Sequence, residues 1–79
     1  MNKIASKILT DAYTHYLNAS TPHCTTMLSG SGTNISSEYN AIKYLEQDGY
    51  IENIVQNGLF ISFDISPQGI EYMRLNRET

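Results

Sequence analysis

The sequence predicts one small α+β domain built from three helices, a two-stranded β-hairpin wing and a C-terminal closing helix. Three observations predict it: an apolar helical stretch that stops at Asp48-Gly49, an Asn57-Gly58 pair between two β-rich runs, and Ser66-Pro67 opening a last helix. The chain has 79 residues, of which 41% are hydrophobic, enough for one small core. Residues 1–79 are therefore expected to form a single domain, with 76–79 as a frayed tail.

The first helix is expected from about Asn2 to Asn18. Apolar residues recur there at spacings of three and four, which places them along one stripe of a helix. The stripe comprises Ile4, Ala5, Ile8, Leu9, Ala12, Tyr13, Tyr16 and Leu17.

A short second helix is expected from His23 to Leu28, with Thr21 as its N-cap and Pro22 in its first position. Two adjacent threonines inside it are poor helix formers. The Ser-Gly-Ser-Gly stretch that follows indicates a turn between elements and not a domain linker, because neither flank is able to fold alone.

The third helix is expected to begin between Asn34 and Ser36, which are good cap residues, and to end where Gly49 supplies a left-handed closing residue. At about 100° per residue, two sets of residues separate. The packing side holds Ile35, Ala41, Ile42 and Leu45. The opposite side holds Ser36, Ser37, Asn40, Lys43, Tyr44 and Gln47.

Two strands follow, at residues 50–55 and 59–65, joined through Gln56, Asn57 and Gly58. Asn-Gly is a preferred type I′ turn pair, which suits a tight hairpin. In the second strand, alternation sends one set of side chains towards the core: Leu59, Ile61, Phe63 and Ile65. Phe60, Ser62 and Asp64 face the other way. The closing helix then packs Ile70, Met73 and Leu75 inward.

The order of these signals resembles the bacterial winged-helix family, as in MarR-like and PadR-like regulators and small phage proteins. The end of the third helix is similar to that of the family's recognition helix. It has a leucine, Leu45, an acidic-polar pair, a glycine, Gly49, and then an aromatic residue and Ile51. Residues 65–73 are similar to the segment that leaves the wing and starts the closing helix. Residues 21–34 depart from the pattern, since an alanine-rich second helix is usual there. The resemblance implies a winged helix-turn-helix fold and a homodimer.

If the resemblance extends to function, the third helix enters the major groove of double-stranded DNA as a transcriptional regulator would, with its N-terminal residues nearest the bases. Ser36, Ser37 and Asn40 then face base edges, where asparagine pairs with adenine in bidentate fashion. The remaining expected DNA-binding residues contact phosphates, flanking bases or a neighbouring groove: Lys43, Tyr44, Gln47, Gln56 and Asn57. The alternative that they are ordinary solvated side chains stays open.

The charge balance of the chain argues against DNA binding. Five basic residues stand against eight acidic ones, for a net charge of -3 and a pI near 5.1, whereas DNA-binding domains are expected to be basic. Lys43 is the only cation between Lys7 and Arg74. The alternative function is therefore an acidic winged-helix protein-interaction module without DNA affinity. A homodimer through the first and last helices would double the cations available to DNA.

The six tyrosines bear on the same question, since tyrosine is enriched at protein interfaces. Tyr13, Tyr16 and Tyr50 are expected in the core. Tyr44 and Tyr72 are expected to be exposed and to face a partner.

No pattern for an enzyme is present. His15 and His23 have no acidic partner at a recognisable spacing, and no metal-ligand cluster, P-loop, nucleophile elbow or dinucleotide motif occurs. No catalytic residue, metal or cofactor is expected. Cys24 is the single cysteine, which excludes an intramolecular disulfide and fits a reducing cytoplasm. No apolar run approaches the ~18 residues of a membrane span, so no membrane association is expected.

Overall fold

Three helices and one three-stranded antiparallel sheet make up the protein, whose computed structural model describes residues 2–28 and 33–77. The elements are α1 (Lys3–Ala19), β1 (His23–Met27), α2 (Thr33–Gln47), β2 (Ile51–Asn57), β3 (Phe60–Ile65) and α3 (Pro67–Arg77). The strand order is β1-β3-β2, which puts the last strand of the chain in the centre. This α+β, winged-helix-like arrangement confirms the predicted fold class, with the hairpin forming part of a three-stranded sheet.

The segment predicted as a short second helix is the strand β1, so that prediction was wrong. β1 pairs antiparallel with β3 from His23 opposite Asp64 to Met27 opposite Phe60. Its two threonines suit a strand because branched side chains pack well on a pleated surface. The Thr21 hydroxyl accepts the His23 backbone N–H at 3.3 Å, which turns the chain into a strand and not into a helix. A strand therefore separates α1 from α2, in place of a tight turn between two helices.

α1 confirms the prediction for its segment to within one residue at either end. Its first turn is capped by Asn2, whose side-chain oxygen accepts the Ala5 N–H at 2.8 Å. Its last turn closes on Ser20, which adopts φ +57° and donates its N–H to the Tyr16 carbonyl at 3.0 Å. The buried side of the helix holds Ala5, Leu9, Ala12 and Tyr13. This stripe is what attaches α1 to the rest of the core.

The turn between β2 and β3 lies one residue later than predicted. Asn57 pairs with Phe60, so Gly58 and Leu59 are the central residues. Of these two, only Gly58 has a positive φ, +64°, the pattern of a type II′ turn and not of type I′. Leu59 was expected to face the core, but it lies in the turn and is 51% exposed. The rest of the predicted inward set is buried: Ile61, Phe63 and Ile65.

The core lies between the helices and one face of the sheet. Its largest fully buried side chains are Leu9, Ile42, Leu45, Ile51, Ile61, Phe63 and Ile65. α2 stops as predicted at Gly49, whose φ is +83°. The N–H of Gly49 donates to the Glu46 carbonyl at 3.0 Å, and the N–H of Tyr50 donates to the Leu45 carbonyl at 2.9 Å. This Schellman motif ends α2, and β2 begins two residues after Gly49.

α3 begins at Pro67, directly after Ser66, as predicted. Met73 is buried and Ile70 is half-buried against the core, whereas Leu75 is 53% exposed and does not pack inward as expected. The helix continues to Arg77, which makes the first half of the expected frayed tail helical; residues 78 and 79 lie outside the described residues. In the described ranges, no helix has the length and apolar content needed to cross a bilayer.

Candidate nucleic-acid interface

The side of α2 that points away from the core carries the six helical residues expected to read DNA. All six are exposed: Ser36, Ser37, Asn40, Lys43, Tyr44 and Gln47. We refer to them as the α2 outward face. On the other side of the helix, Ala41 and Ile42 are 1% exposed and Leu45 is completely buried. The helical period separates the two sets, and the orientation expected from the sequence is the one observed.

The carboxylates of α2 lie off this face. Glu38 and Glu46 are partly buried, on the packed side and at its edge, and Asp48 comes after the last helical residue. The α2 outward face therefore presents hydroxyls, amides and one ammonium group. Such groups donate to or accept from base edges and donate to phosphate oxygens.

Two side chains of the α2 outward face are held by neighbouring acids. The Lys43 ammonium lies 3.0 Å from the Glu46 carboxylate, and this hydrogen bond, together with the charge of Glu46, raises the pKa of Lys43. Asp48 raises the pKa of Tyr44, chiefly by hydrogen bonding to its hydroxyl and secondly by its charge. Lys43 is thus fully cationic at neutral pH, but a phosphate has to compete with Glu46 for it.

The β2–β3 turn lies at the same end of the molecule as the start of α2. The Leu28 N–H donates to the Leu59 carbonyl in the turn at 2.7 Å, and α2 begins only five residues after Leu28. Five Cα–Cα steps span at most roughly 18 Å, so the two features are neighbours. Gln56 and Asn57 beside the turn are exposed, and the Gln56 amide donates to the Gly58 carbonyl at 3.2 Å. The first turns of α2 and the wing residues are therefore near each other, whereas Tyr44 and Gln47 lie at the far end of the helix, next to the start of β2.

The other cations of the described residues are mostly engaged with acids of their own helix. Lys7 lies 2.9 Å from Asp11, and Arg74 lies 2.5 Å from Glu71. The Arg74 hydrogen bond lowers the pKa of Glu71. These pairs are exposed, so each stabilises the fold little. Their main effect is to neutralise positive charge that a phosphate would otherwise use.

A second exposed surface was missed by the sequence analysis, because β1 was read as a helix. The face of the sheet turned away from the helices is formed by alternate residues of all three strands. These are His23, Thr25 and Met27 of β1, Phe60, Ser62 and Asp64 of β3, and Glu52, Val55 and Asn57 of β2. We call it the outer sheet face. Alternation along β1, had it been read as a strand, would have indicated one edge of this surface.

One end of the outer sheet face is polar and hydrogen-bonded. Asp64 accepts from the Asn53 amide at 2.9 Å and lies 3.0 Å from the His23 imidazole. Hydrogen bonding, first from Asn53 and then from His23, lowers the pKa of Asp64. Asn53 sits at a β-bulge with φ +59°, a conformation that asparagine tolerates well. In the middle of the face, the Thr25 and Ser62 hydroxyls are 3.0 Å apart.

The opposite end of the outer sheet face is apolar. Met27 and Phe60 are cross-strand partners and are 51% and 54% exposed. Val55 is 65% exposed and pairs with Ser62, two residues from Phe60, and Leu59 precedes Phe60 in the turn at 51% exposure. We call these four residues the apolar tip. Single exposed apolar residues are ordinary, but four at one end of a sheet indicate an interaction surface.

The tyrosines differ from expectation at one position. Tyr13 is buried and stacks on half-buried Tyr16, with ring centroids 6.3 Å apart, as predicted for core residues. Half-buried Tyr50 packs against Tyr72 at 4.7 Å. Tyr72 is therefore partly buried within the molecule and is not the exposed residue that was expected. Tyr44, at 38% exposure, does reach the surface.

A cleft of about 450 Å³ lies between α1, β1 and the start of α2, lined by Lys3, Ile4, Lys7, Ile8, Asp11, Thr26, Met27 and Glu38. Among the described residues, no group of three or more His, Cys, Asp or Glu is placed to hold a metal ion.

Comparison of the sequence with protein-family models gives no match, and comparison with curated proteins gives none either.

Proposed function

We propose that this protein is a small winged-helix regulator that binds double-stranded DNA through the α2 outward face. The observation that carries the proposal is the composition of that face: six exposed side chains capable of hydrogen bonding, none of them a carboxylate. An exposed helix with no acid on its outer side is compatible with the negative potential of a DNA groove. We also propose the cytoplasm as its compartment, because a DNA-binding regulator has to be where the DNA is.

The proposed docking follows from the direction of α2. Its first turns carry Ser36, Ser37 and Asn40, which reach base edges if the N-terminal end of the helix enters the major groove. Asn40 is the best candidate for a specific contact, because its amide matches the N6 and N7 edge of adenine. Gln56 and Asn57 lie at the same end of the fold and supply a second contact from the wing.

Phosphate binding is expected to be weak. Lys43 is the cation on the α2 outward face, and it has to leave Glu46 before it can neutralise a phosphate. Non-specific affinity comes almost entirely from such neutralised phosphates. A monomer is therefore expected to bind duplex with low affinity, and most of its discrimination has to come from base contacts.

A salt titration against random duplex tests the proposal. Binding is expected near 50 mM salt, with log K falling against log salt at a slope of about -0.9 for each phosphate neutralised. Lys43→Gln should reduce the slope by about one such unit. The matched control is Arg74→Gln, which breaks a pair of the same i,i+3 spacing on α3 and should leave the slope unchanged.

The second candidate is a protein-interaction module without DNA affinity. It is favoured by a specific observation: Lys7, Lys43 and Arg74 each lie within 3.0 Å of a carboxylate in the same helix, in a chain whose net charge is -3. If no binding is measurable even near 50 mM salt, DNA recognition is refuted and this module is the function that stands.

A further inference from the structure

We propose that a second copy of this chain docks on the outer sheet face, with the apolar tips of the two copies in contact about a two-fold axis near Phe60. This goes beyond DNA recognition and differs from the interface through the first and last helices that the sequence suggested. It depends on the pairing of β1 with β3, which brings Met27 beside Phe60.

The apolar tip is the largest exposed apolar cluster that the strand register defines. Its four members are each 51% to 65% exposed. Phe60 is an aromatic side chain of the kind that buries on the order of 150–250 Å² at an interface, and about half of it is accessible here. Four apolar side chains exposed at one end of a sheet indicate an interaction surface.

The distribution of charge favours a second copy as the occupant. Residues 53–63 contain no Asp, Glu, Lys, Arg or His, and neither do residues 24–28 of the adjoining strand. The four side chains of the tip are uncharged, although Met27 also lines the cleft that holds Lys3, Lys7, Asp11 and Glu38. Because those charges are two of each sign, the tip offers no net charge to recognise a basic or acidic protein, nucleic acid or an anionic membrane. Two copies of an acidic chain, in contrast, are able to meet there without bringing like charges together.

The two acids of the outer sheet face, Glu52 and Asp64, are cross-strand partners at the end away from the apolar tip, and their position supports the two-fold arrangement. Asp64 lies four residues from Phe60 along β3, which is about 13 Å at 3.3 Å per residue. Around an axis at Phe60, the Asp64 carboxylates of the two copies are then about 26 Å apart, well beyond the ~8 Å Debye length at physiological salt. An axis through the centre of the sheet would instead place each apolar tip against Glu52 and Asp64 of the other copy.

Such a dimer covers Asn57, which shares the outer sheet face with Phe60. Asn57 is therefore unavailable to DNA within the dimer. The proposal does not depend on DNA binding, and its test uses protein alone.

Sedimentation velocity at about 10 µM and about 500 µM, spanning the range of a transient interface, is the experiment. The sedimentation coefficient of the wild-type chain is expected to rise with concentration. Phe60→Lys and Val55→Lys should each abolish that rise. Val55 lies on the edge strand β2, where lysine is well tolerated, so this variant keeps the test decisive even if Phe60→Lys fails to fold.

Leu17→Lys and Leu75→Lys are the matched controls. These leucines lie on α1 and α3 and are 52% and 53% exposed, against 54% for Phe60. If the helices form the dimer, these two variants dissociate it and the sheet variants do not, which overturns the proposal. A wild-type chain that is monomeric at the higher concentration overturns it as well. Concentration-dependent amide shifts confined to the outer sheet face would support it without any substitution.

Discussion

The Ser66 hydroxyl donates a 2.5 Å hydrogen bond to the backbone carbonyl of Gly49. The same hydroxyl accepts the Gly69 N–H at 3.0 Å, and the side chain is 4% exposed. One buried oxygen thus caps α3 and ties it to the turn that ends α2. The orientation of α2 relative to the closing helix depends on this connection.

Ser66→Ala is expected to lower the free energy of unfolding by about 1–3 kcal/mol, because it removes an N-cap and leaves the partly buried Gly49 carbonyl without its donor. Urea denaturation measures the change. Ser6→Ala is the control, since Ser6 is exposed near the start of α1 and its replacement should stay within about 0.5 kcal/mol. Equal effects of the two substitutions would contradict this role for Ser66.

Gly69 is required for a close approach between α3 and the start of β2. A Cβ at this position would overlap the Tyr50 carbonyl oxygen, a backbone atom. Gly69→Ala is therefore expected to destabilise the fold by about 1–3 kcal/mol through steric strain, as measured by thermal or urea unfolding.

Gly58 provides the contrast to Gly69, because a Cβ there meets nothing within 4 Å and only the φ of +64° is unfavourable. Gly58→Asn, which tolerates a positive φ, should be milder than Gly58→Ala. Gly69→Asn should not be milder than Gly69→Ala. The opposite ranking at position 69 would show that conformation, and not space, limits that site.

The lowered pKa of Asp64 makes stability depend on pH in acid. A carboxyl whose pKa is lower in the folded state contributes stability above its unfolded pKa of about 3.9 and loses it as the pH falls through the folded pKa. Asn53→Gly keeps a residue suited to φ +59° and removes the main hydrogen bond that lowers this pKa. The variant should lose less unfolding free energy than the wild type between about pH 5 and pH 2.

Urea titrations at a series of pH values measure this effect of Asn53→Gly. Asn18→Gly, at an exposed position of α1, is the control and should lower stability without changing its pH dependence. Identical pH dependence in Asn53→Gly and wild type would show that the amide does not control Asp64.

Cys24 is expected to react slowly with alkylating agents. Its half-burial and, secondly, the charge of Asp11 raise the pKa of its thiol, so that less of the reactive thiolate forms at neutral pH. Iodoacetamide labelling near pH 7.5, followed by mass spectrometry, should be at least about tenfold slower in the folded chain than in urea. Asp11→Asn should increase the rate in the folded chain. Equal rates in folded and unfolded protein would contradict both causes.

Asn40→Ala tests base reading directly. On a preferred duplex, the substitution is expected to weaken binding by about 1–3 kcal/mol and to relax preference at one base pair. Asn18→Ala, which removes the same amide from an exposed position on α1, should have no effect on binding. A uniform loss on all duplexes would show that Asn40 contacts the backbone and does not read bases.

The parts of the fold that the sequence predicted are those with a strong local signal. α2 has apolar residues at helical spacing and a glycine where its last turn closes, and both features act within a few residues of chain. α3 starts where Ser66 and Pro67 predict a cap and a first turn. The exposure of the α2 outward face follows from the same periodicity, which is why the candidate helix residues were oriented correctly.

The missed element depends on distant pairing. Thr21 and Pro22 are residue types typical of the start of a helix. The five residues of β1 are too few to show a clear alternation of apolar and polar side chains. What makes them a strand is β3, whose Ser62 lies 37 positions after its partner Thr25. The apolar tip was missed for the same reason, because Met27 and Phe60 become neighbours only through that pairing. Leu59 lies outside the core because the turn comes one residue later than predicted. Gly58 is its first central residue and Leu59 its second.

The central place of β3 in the sheet has a consequence for how the chain is made. During synthesis from the N-terminus, β1 leaves the ribosome long before its strand partner β3, and the hairpin cannot offer a docking edge until Ile65 has been translated. Until then, the apolar side of α1 has only part of the surface that buries it, because α1 packs against β3 and α3 as well as against α2. Folding is therefore expected to wait for nearly the whole domain, and nascent chains stalled before residue 60 should be captured by chaperones or degraded by proteases.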